Sequence, residues 1–220
     1  MAIRYYNGYI WSLMTIKRER PYQSATRQRQ AEETKQRIVA AARKLMRTKG
    51  YSGMTIEAIA NRAEVSVPTV YAVFGSKTGI LAELMDDATF GPDYERLVRE
   101  ASETEDPHKR LRIAASIARQ IHDAASSTFD LMRGAGVVAP ELAQLEKTRE
   151  EHRFKAQEGM IDFLNRSGRL RPEVSKQTAR DILWALTGRE LYRALVRERG
   201  WTSQRYEDWL GETLRSSLLC

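Results

Sequence analysis

The chain has 220 residues, a formal net charge of +7 and one cysteine, Cys220. That length gives one or two domains at roughly 100–200 residues each, with enough apolar surface to fold without staples. A lone cysteine excludes an intramolecular disulfide and fits a reducing, cytoplasmic setting. No apolar run approaches the roughly 18 residues of a membrane span, so no stable membrane insertion is expected.

The charge is unevenly placed. Residues 1–80 hold 14 Lys and Arg against 5 Asp and Glu, a balance of +9, whereas residues 81–220 hold 22 against 24, a balance of −2. A basic segment on a near-neutral remainder points to a polyanion partner, either nucleic acid or an anionic membrane surface.

The opening MAIRYYNGYIWSLM is apolar and aromatic, but Arg4, Asn7 and Gly8 interrupt it. It lacks the charged n-region, sustained h-region and small-residue cleavage site of a secretory leader. Residues 1–30 read as a flexible basic arm, since Pro21 breaks any helix and apolar periodicity is absent past Ile16.

From about Ala31 to Lys49, Ile38, Ala42, Leu45 and Met46 recur at i, i+4, i+7 and i+8, one face of an amphipathic helix that Gly50 closes. A second helix opens at Thr55, a plausible N-cap, and buries Ile56, Ile59, Ala60 and Ala63. After a four-residue break, AEVS, comes a short helix at 67–74, then Gly75 and a helix striped by Ile80, Leu81, Leu84 and Met85. Past Gly91-Pro92 the candidate helices are 93–104, 107–125, 140–167, 173–199 and 203–218. Pro107, Pro140 and Pro172 suit first-turn positions, the Ser126-Ser127 pair closes the second of these helices, and Gly168 and Gly200 suit helix ends. No alternating strand pattern and no internal repeat is visible, so the chain reads as all-α.

Two short helices joined by about four residues follow the helix-turn-helix plan, in which the second helix enters the DNA major groove. On a wheel of about 100° per residue, Val70 and Phe74 share one side, with Val67 and Tyr71 nearby. Pro68, Thr69 and Ala72 lie opposite, with Val73 at the edge. The outer side therefore carries small residues and no long charges. Pro68 is tolerated in the first turn and disfavours helical geometry at Val67, which leaves either Ser66 or Val67 as the cap. Lys77, in the first turn of the following helix, opposes that helix's dipole unless a phosphate also lies there. From the flank of the short helix, the Tyr71 hydroxyl can reach a phosphate.

The run TIEAIANRAEVSVPTVYAVFGSKTGIL resembles the signature of the tetracycline-repressor (TetR) family of transcriptional regulators through Thr55, Ile59-Ala60, Val65-Ser66, Tyr71, Phe74 and Lys77. The resemblance implies a three-helix DNA-binding domain at 31–78, then a helical effector-binding and dimerisation domain at 79–220. It implies phosphate contacts from Thr55, Ser66, Tyr71 and Lys77, and base-facing positions at Glu57, Val67, Pro68, Thr69 and Ala72. The partners implied are a double-stranded DNA operator, a second copy of the chain in a homodimer, and a small-molecule effector. DILWALTGRELYRALVRERGW resembles the dimerising end of some members. One departure is Glu64, where the family's turn usually holds glycine; it costs about 1 kcal/mol or bends the turn slightly. Few base-facing side chains hydrogen-bond, which shifts weight from bidentate readout to thymine methyl contacts and DNA shape.

Phe129, Met132, Phe154, Met160 and Phe163, together with His122, are the candidates for lining an effector pocket between helices, and their character suits a hydrophobic or amphipathic molecule. Trp184, Leu186, Leu191, Leu195 and Trp209 are the candidates for the dimer interface, since two half-sites are read best by a two-fold dimer. His108, His122 and His152 have no companions at zinc-site spacing, and no cofactor is implied. Two competing readings are a helical enzyme or binding protein without a DNA role, and membrane-surface binding through the aromatic, basic amino terminus. Against the first, no nucleophile–base pairing or glycine-rich phosphate loop is visible. Liposome sedimentation with and without residues 1–26 discriminates the second.

Overall fold

The computed structural model describes residues 25–136 and 140–220, with side chains for all of these except 25, 88, 125–136 and 142. The described residues are helical, apart from turns and one isolated bridge between Leu170 and Leu219. They fall into two compact units. One runs through Asp87 and includes Ser127–Glu146; the other comprises Ala88–Ser126 and Lys147–Cys220.

In the first unit, α1 (Ala25–Gly53) starts ahead of the expected Ala31, so the last part of the supposed arm is helical. Its stripe of Ile38, Ala42, Leu45 and Met46 is buried as the spacing requires. Gly50 takes φ 68° and ψ −174°, a conformation open to glycine, and breaks the regular helix there. The bend delivers Met54 into the core with no exposed surface. Next come α2 (Ile56–Ala63), α3 (Val67–Phe74) and α4 (Lys77–Thr89). Ile56, Ile59, Ala60, Val70, Ile80, Leu81, Leu84 and Met85 close the core, with Leu145 packed against it. Lys35 on α1 pairs with Glu83 on α4 at 3.0 Å, and Arg43 pairs with Asp87.

The second unit contains α5 (Pro92–Glu103), α6 (Pro107–Gly136) as far as Ser126, α7 (Pro140–Ala156) from Lys147, α8 (Glu158–Arg166), α9 (Lys176–Leu186), α10 (Arg189–Tyr192) and α11 (Ser203–Leu218). Leu111, Ala115, Ile161, Leu164, Ala179, Leu183, Tyr206, Leu210 and Leu214 form its core.

Three of the expected helices in this unit differ in extent by more than one residue. α6 does not stop at Ser126-Ser127, because two serines in a helix interior cost only a few tenths of a kcal/mol each. The stretch 140–167 is split at Gln157, whose carbonyl accepts from Met160 N–H at 3.2 Å. The stretch 173–199 does not open at Pro172. There Arg171 N–H donates to Leu218 O at 2.9 Å, and Ser175 caps α9 by accepting from Thr178 N–H at 3.1 Å. It is interrupted again at Thr187-Gly188 and ends in a π-helical turn, Arg193–Glu198, before Gly200 at φ 72°.

Candidate nucleic-acid interface

α2 and α3 are positioned by two side-chain caps and one turn. Thr55 Oγ1 accepts from Ala58 N–H at 3.1 Å, which satisfies an orphan donor at the start of α2. Its own hydroxyl proton stays available for an external acceptor. At the other end, Glu64 N–H donates to Asn61 O at 3.4 Å and Val65 N–H to Ala60 O at 3.0 Å. That is a Schellman closure with Glu64 at the left-handed position, φ 55° and ψ 46°. The turn thus keeps the geometry that suits glycine, and the glutamate bears the strain.

Ser66 is the cap of α3, which settles the choice between Ser66 and Val67. Its Oγ accepts from Thr69 N–H at 3.2 Å and shares a 2.8 Å hydrogen bond with Thr69 Oγ1. One hydroxyl proton of the pair is consumed internally. Pro68 occupies the first turn, where its missing N–H costs nothing.

α3 buries Val70 and half-buries Phe74 against the core. Pro68 and Ala72 are exposed, Tyr71 is 49% exposed and Val73 40%. Val67, expected to face bases, is half-buried and packed on the core, and Thr69 is half-buried too. Val73, read only as an edge position, stands open. Glu57, in the first turn of α2, is exposed.

Lys77 is drawn inward. Its Nζ donates to Tyr51 O at 2.6 Å and lies 3.6 Å from the centroid of the Tyr51 ring. Burial lowers its pKa, partly offset by the Glu141 carboxylate. Tyr51 in turn donates its hydroxyl to Glu141 Oε1 at 2.7 Å. Burial first, then that carboxylate, pushes the phenol up to about 12, and the same hydrogen bond lowers the Glu141 carboxyl. An ammonium has three donors, so two remain for other acceptors. A Cβ on Gly79 would collide with the Phe74 carbonyl oxygen, so glycine is what lets α4 start this close to the end of α3. Tyr51 and Glu141 escaped the sequence reading because their partners are set by the Gly50 bend, not by spacing.

In the second unit, His122 is buried; its ring lies tilted on Tyr192 at 5.1 Å, and Nε2 bonds Thr187 O at 3.1 Å. A carbonyl only accepts, so Nε2 carries the proton, which leaves Nδ1 buried without a partner among the described residues. Gln157 Oε1 and the Tyr206 hydroxyl are orphaned likewise. Phe163 is buried under the Arg110 guanidinium, 3.5 Å from its ring centroid, and Met160 packs beside the same core. Phe154 lies edge-on to Trp184 at 6.3 Å. The side chains of Phe129 and Met132 lie outside the described residues. Of the interface candidates, Trp184 is 36% exposed, while Leu186, Leu191, Leu195 and Trp209 are half-buried against the second core. Among the described residues no cluster of three metal-ligating side chains occurs, and no helix is long and apolar enough to cross a membrane.

Comparison with known proteins places this geometry. The family profile described as "Bacterial regulatory proteins, tetR family" matches residues 38–84, which span the second half of α1 through most of α4. An uncharacterized HTH-type transcriptional regulator of Mycobacterium tuberculosis is 34% identical over 65 residues, 30% of this chain. The chain thus spans only 30% of the length of that curated relative. NalD of Pseudomonas aeruginosa, the secondary repressor of the MexAB-OprM multidrug efflux pump, superposes with a TM-score of 0.64 at 22% identity, covering 86% of this chain and 98% of that one. The transcriptional regulator FadR of Bacillus subtilis, in complex with stearoyl-CoA, gives a TM-score of 0.62 at 19% identity, covering 83% and 98%.

Proposed function

We propose that this chain, which belongs to the tetR family of bacterial regulatory proteins, is a sequence-specific DNA-binding transcriptional regulator acting as a homodimer on a pseudo-palindromic operator. The family and the relatives are transcriptional regulators rather than enzymes. The observation that carries the reading is the α2–turn–α3 geometry. A capped, Schellman-closed turn leaves Pro68, Tyr71, Ala72 and Val73 exposed on the short second helix, in a strongly basic part of the chain.

In this reading residues 31–78 bind DNA and 79–220 hold an effector and the dimer contact. Thr55, Ser66, Tyr71 and the remaining Lys77 donors face phosphates, and Glu57, Pro68, Thr69 and Ala72 face bases, with the exposed Val73 at their edge. Repression is the regulatory sense supported by the likeness to NalD, itself a repressor. The effector is hydrophobic or amphipathic, as is the stearoyl-CoA bound by FadR. The buried, unpartnered Nδ1 of His122, Oε1 of Gln157 and hydroxyl of Tyr206 are the polar groups in this unit that an effector would satisfy. An effector that prefers one of two states of the dimer weakens operator binding by its differential affinity, and the operator weakens effector binding by the same factor.

Selection of bound duplexes from a random pool, followed by footprinting, tests this. The expected result is a pseudo-palindrome with two-fold footprints whose half-site centres lie about 34–36 Å apart or a multiple of that. Binding only as a monomer, or equally to every sequence at physiological salt, would refute it.

A further inference from the structure

We infer that α3 selects its operator chiefly through pyrimidine C5-methyl groups in the major groove, a statement that rests on the DNA-binding reading and gives it a chemical class of half-site. Side chains that read bases by paired hydrogen bonds are Arg, Lys, Asn, Gln, Asp and Glu. The helix Val67–Phe74, VPTVYAVF, contains none of them. Its hydrogen-bonding side chains are Thr69 and Tyr71. The Thr69 hydroxyl is half-buried and committed to Ser66 Oγ at 2.8 Å, within the cap that starts the helix. What is exposed is Pro68, Ala72 and Val73, which are apolar, and Tyr71, whose hydroxyl the DNA-binding reading assigns to a phosphate.

Duplex DNA is the occupant that suits such a patch here. Residues 25–80 hold 10 Lys and Arg against 4 Asp and Glu, so the apolar patch belongs to a cationic segment that a polyanion attracts. The one bulky apolar group that a base edge offers such a surface in the major groove is a methyl on carbon 5 of a pyrimidine. Thymine carries that group always and 5-methylcytosine carries the same group. Glu57 on α2 supplies one polar reading beside it, as an acceptor for cytosine N4–H. Readout by methyl contact differs from readout by groove shape, because removing a methyl leaves the base pair and its hydrogen bonds intact.

The experiment uses the full chain and the duplex selected from the random pool. Each thymine of a half-site is replaced singly by deoxyuridine. In a second series, a critical thymine–adenine pair is changed to cytosine–guanine, with cytosine or with 5-methylcytosine. We expect each contacted methyl to cost roughly 3–5-fold in affinity when removed. The 5-methylcytosine duplex should recover part of what the cytosine duplex loses. Val73→Ala should shrink the thymine-to-deoxyuridine ratio at one position with an unchanged circular dichroism spectrum. A fully deoxyuridine-substituted half-site bound as tightly as the parent overturns the inference while leaving sequence-specific binding intact. A chain that selects no sequence from the pool overturns the regulator reading itself, and this inference with it.

Discussion

Lys77 Nζ donates to the carbonyl oxygen of Tyr51 at 2.6 Å and lies over the ring of the same residue, 3.6 Å from its centroid. The lysine that the family resemblance assigns to a phosphate is thus also an internal strut. It ties the chain after the Gly50 bend to the first turn of α4. A hydrogen bond from a charged donor is worth about 1.5–3 kcal/mol, and partial exposure discounts that to about 1 kcal/mol here.

Lys77→Ala is therefore expected to have two effects at once. It should lower Tm by about 2–4 °C, as a loss of 1 kcal/mol does in a chain of this size. It should also weaken DNA binding about equally across sequences, because phosphates carry no sequence information. Tyr71→Phe, which removes an exposed hydroxyl, should weaken binding in the same uniform way with Tm unchanged. Calorimetry on both variants, paired with binding to selected and scrambled duplexes, checks this. An unchanged Tm in Lys77→Ala would show the strut to be energetically idle.

Glu64 occupies a left-handed position, φ 55°, that the Schellman closure of α2 imposes. A non-glycine residue there costs about 1 kcal/mol or more, whereas glycine adopts the conformation without a Cβ clash. Glu64→Gly should stabilise the folded state by roughly 0.5–1 kcal/mol, since glycine's greater freedom when unfolded takes back part of the gain. The turn geometry is already in place, so the selected consensus should not move. A drop in Tm would mean that the glutamate side chain holds the turn by an interaction that outweighs its backbone strain.

The parts of this fold that were legible in the sequence are those governed by local chemistry. Ile38, Ala42, Leu45 and Met46 fall on one helical face whatever surrounds them, and Thr55, Ser66 and Pro68 cap or open helices by bonds within four residues. Glycine at positions 50, 168 and 200 marked breaks or ends of helices because positive φ is a conformation that glycine adopts freely. The rest depended on contacts distant in sequence. Pro172 had every local qualification to start a helix, but bonds from Arg171 to the carbonyls of Leu218 and Leu219 hold that segment against the carboxy terminus. The split at Gln157 falls beside Gly159, but that glycine sits inside α8 rather than at the break, so its position did not announce where the helix divides. Lys77 reads as a surface cation until the Gly50 bend brings the Tyr51 carbonyl beneath it. Val73 reads as an edge residue because a helical wheel cannot tell how far the core climbs around a helix of eight residues.

Residues 1–24 lie outside the described part, yet their charge is known: Arg4, Lys17, Arg18 and Arg20 against Glu19. They precede α1, which begins at Ala25, so removing them spares every described helix. Tethered beside a DNA-binding unit, such a basic segment can neutralise phosphates as other amino-terminal arms do. Deleting residues 1–24 should leave Tm and the consensus nearly unchanged. It should flatten the slope of log affinity against log salt by about 0.9 for each phosphate that the arm no longer neutralises. An unchanged slope would show that the segment does not touch DNA, and a collapse of Tm would place Tyr5, Tyr6, Tyr9 and Trp11 in the core.

His122 couples stability to pH. Burial is the main cause that lowers its pKa from 6.5 to about 4; the neighbouring Arg153 and Arg189 lower it further, while the hydrogen bond to Thr187 O and the charge of Glu150 oppose them. The folded state therefore holds the imidazole neutral at pH values where the unfolded chain has already bound a proton. A group with a depressed folded pKa contributes its full share above the unfolded value and loses it as pH falls through the folded one. Stability should thus decline between pH 6.5 and 4, by about 3 kcal/mol at the acid end, since a tenfold change in proton affinity is worth about 1.4 kcal/mol. Other groups titrate in the same window, so the informative quantity is the difference between two proteins. His122→Gln keeps a side chain able to donate to Thr187 O but cannot take up a proton. It should be less stable than the parent near pH 7, where the ring stack on Tyr192 is lost, and the gap should close by pH 4. Urea titrations at intervals across that range measure it. Two curves that remain parallel from pH 7 to pH 4 would show that His122 binds its proton equally well in the folded and unfolded chains, and the imidazole would then be open to water rather than buried against Thr187 and Tyr192.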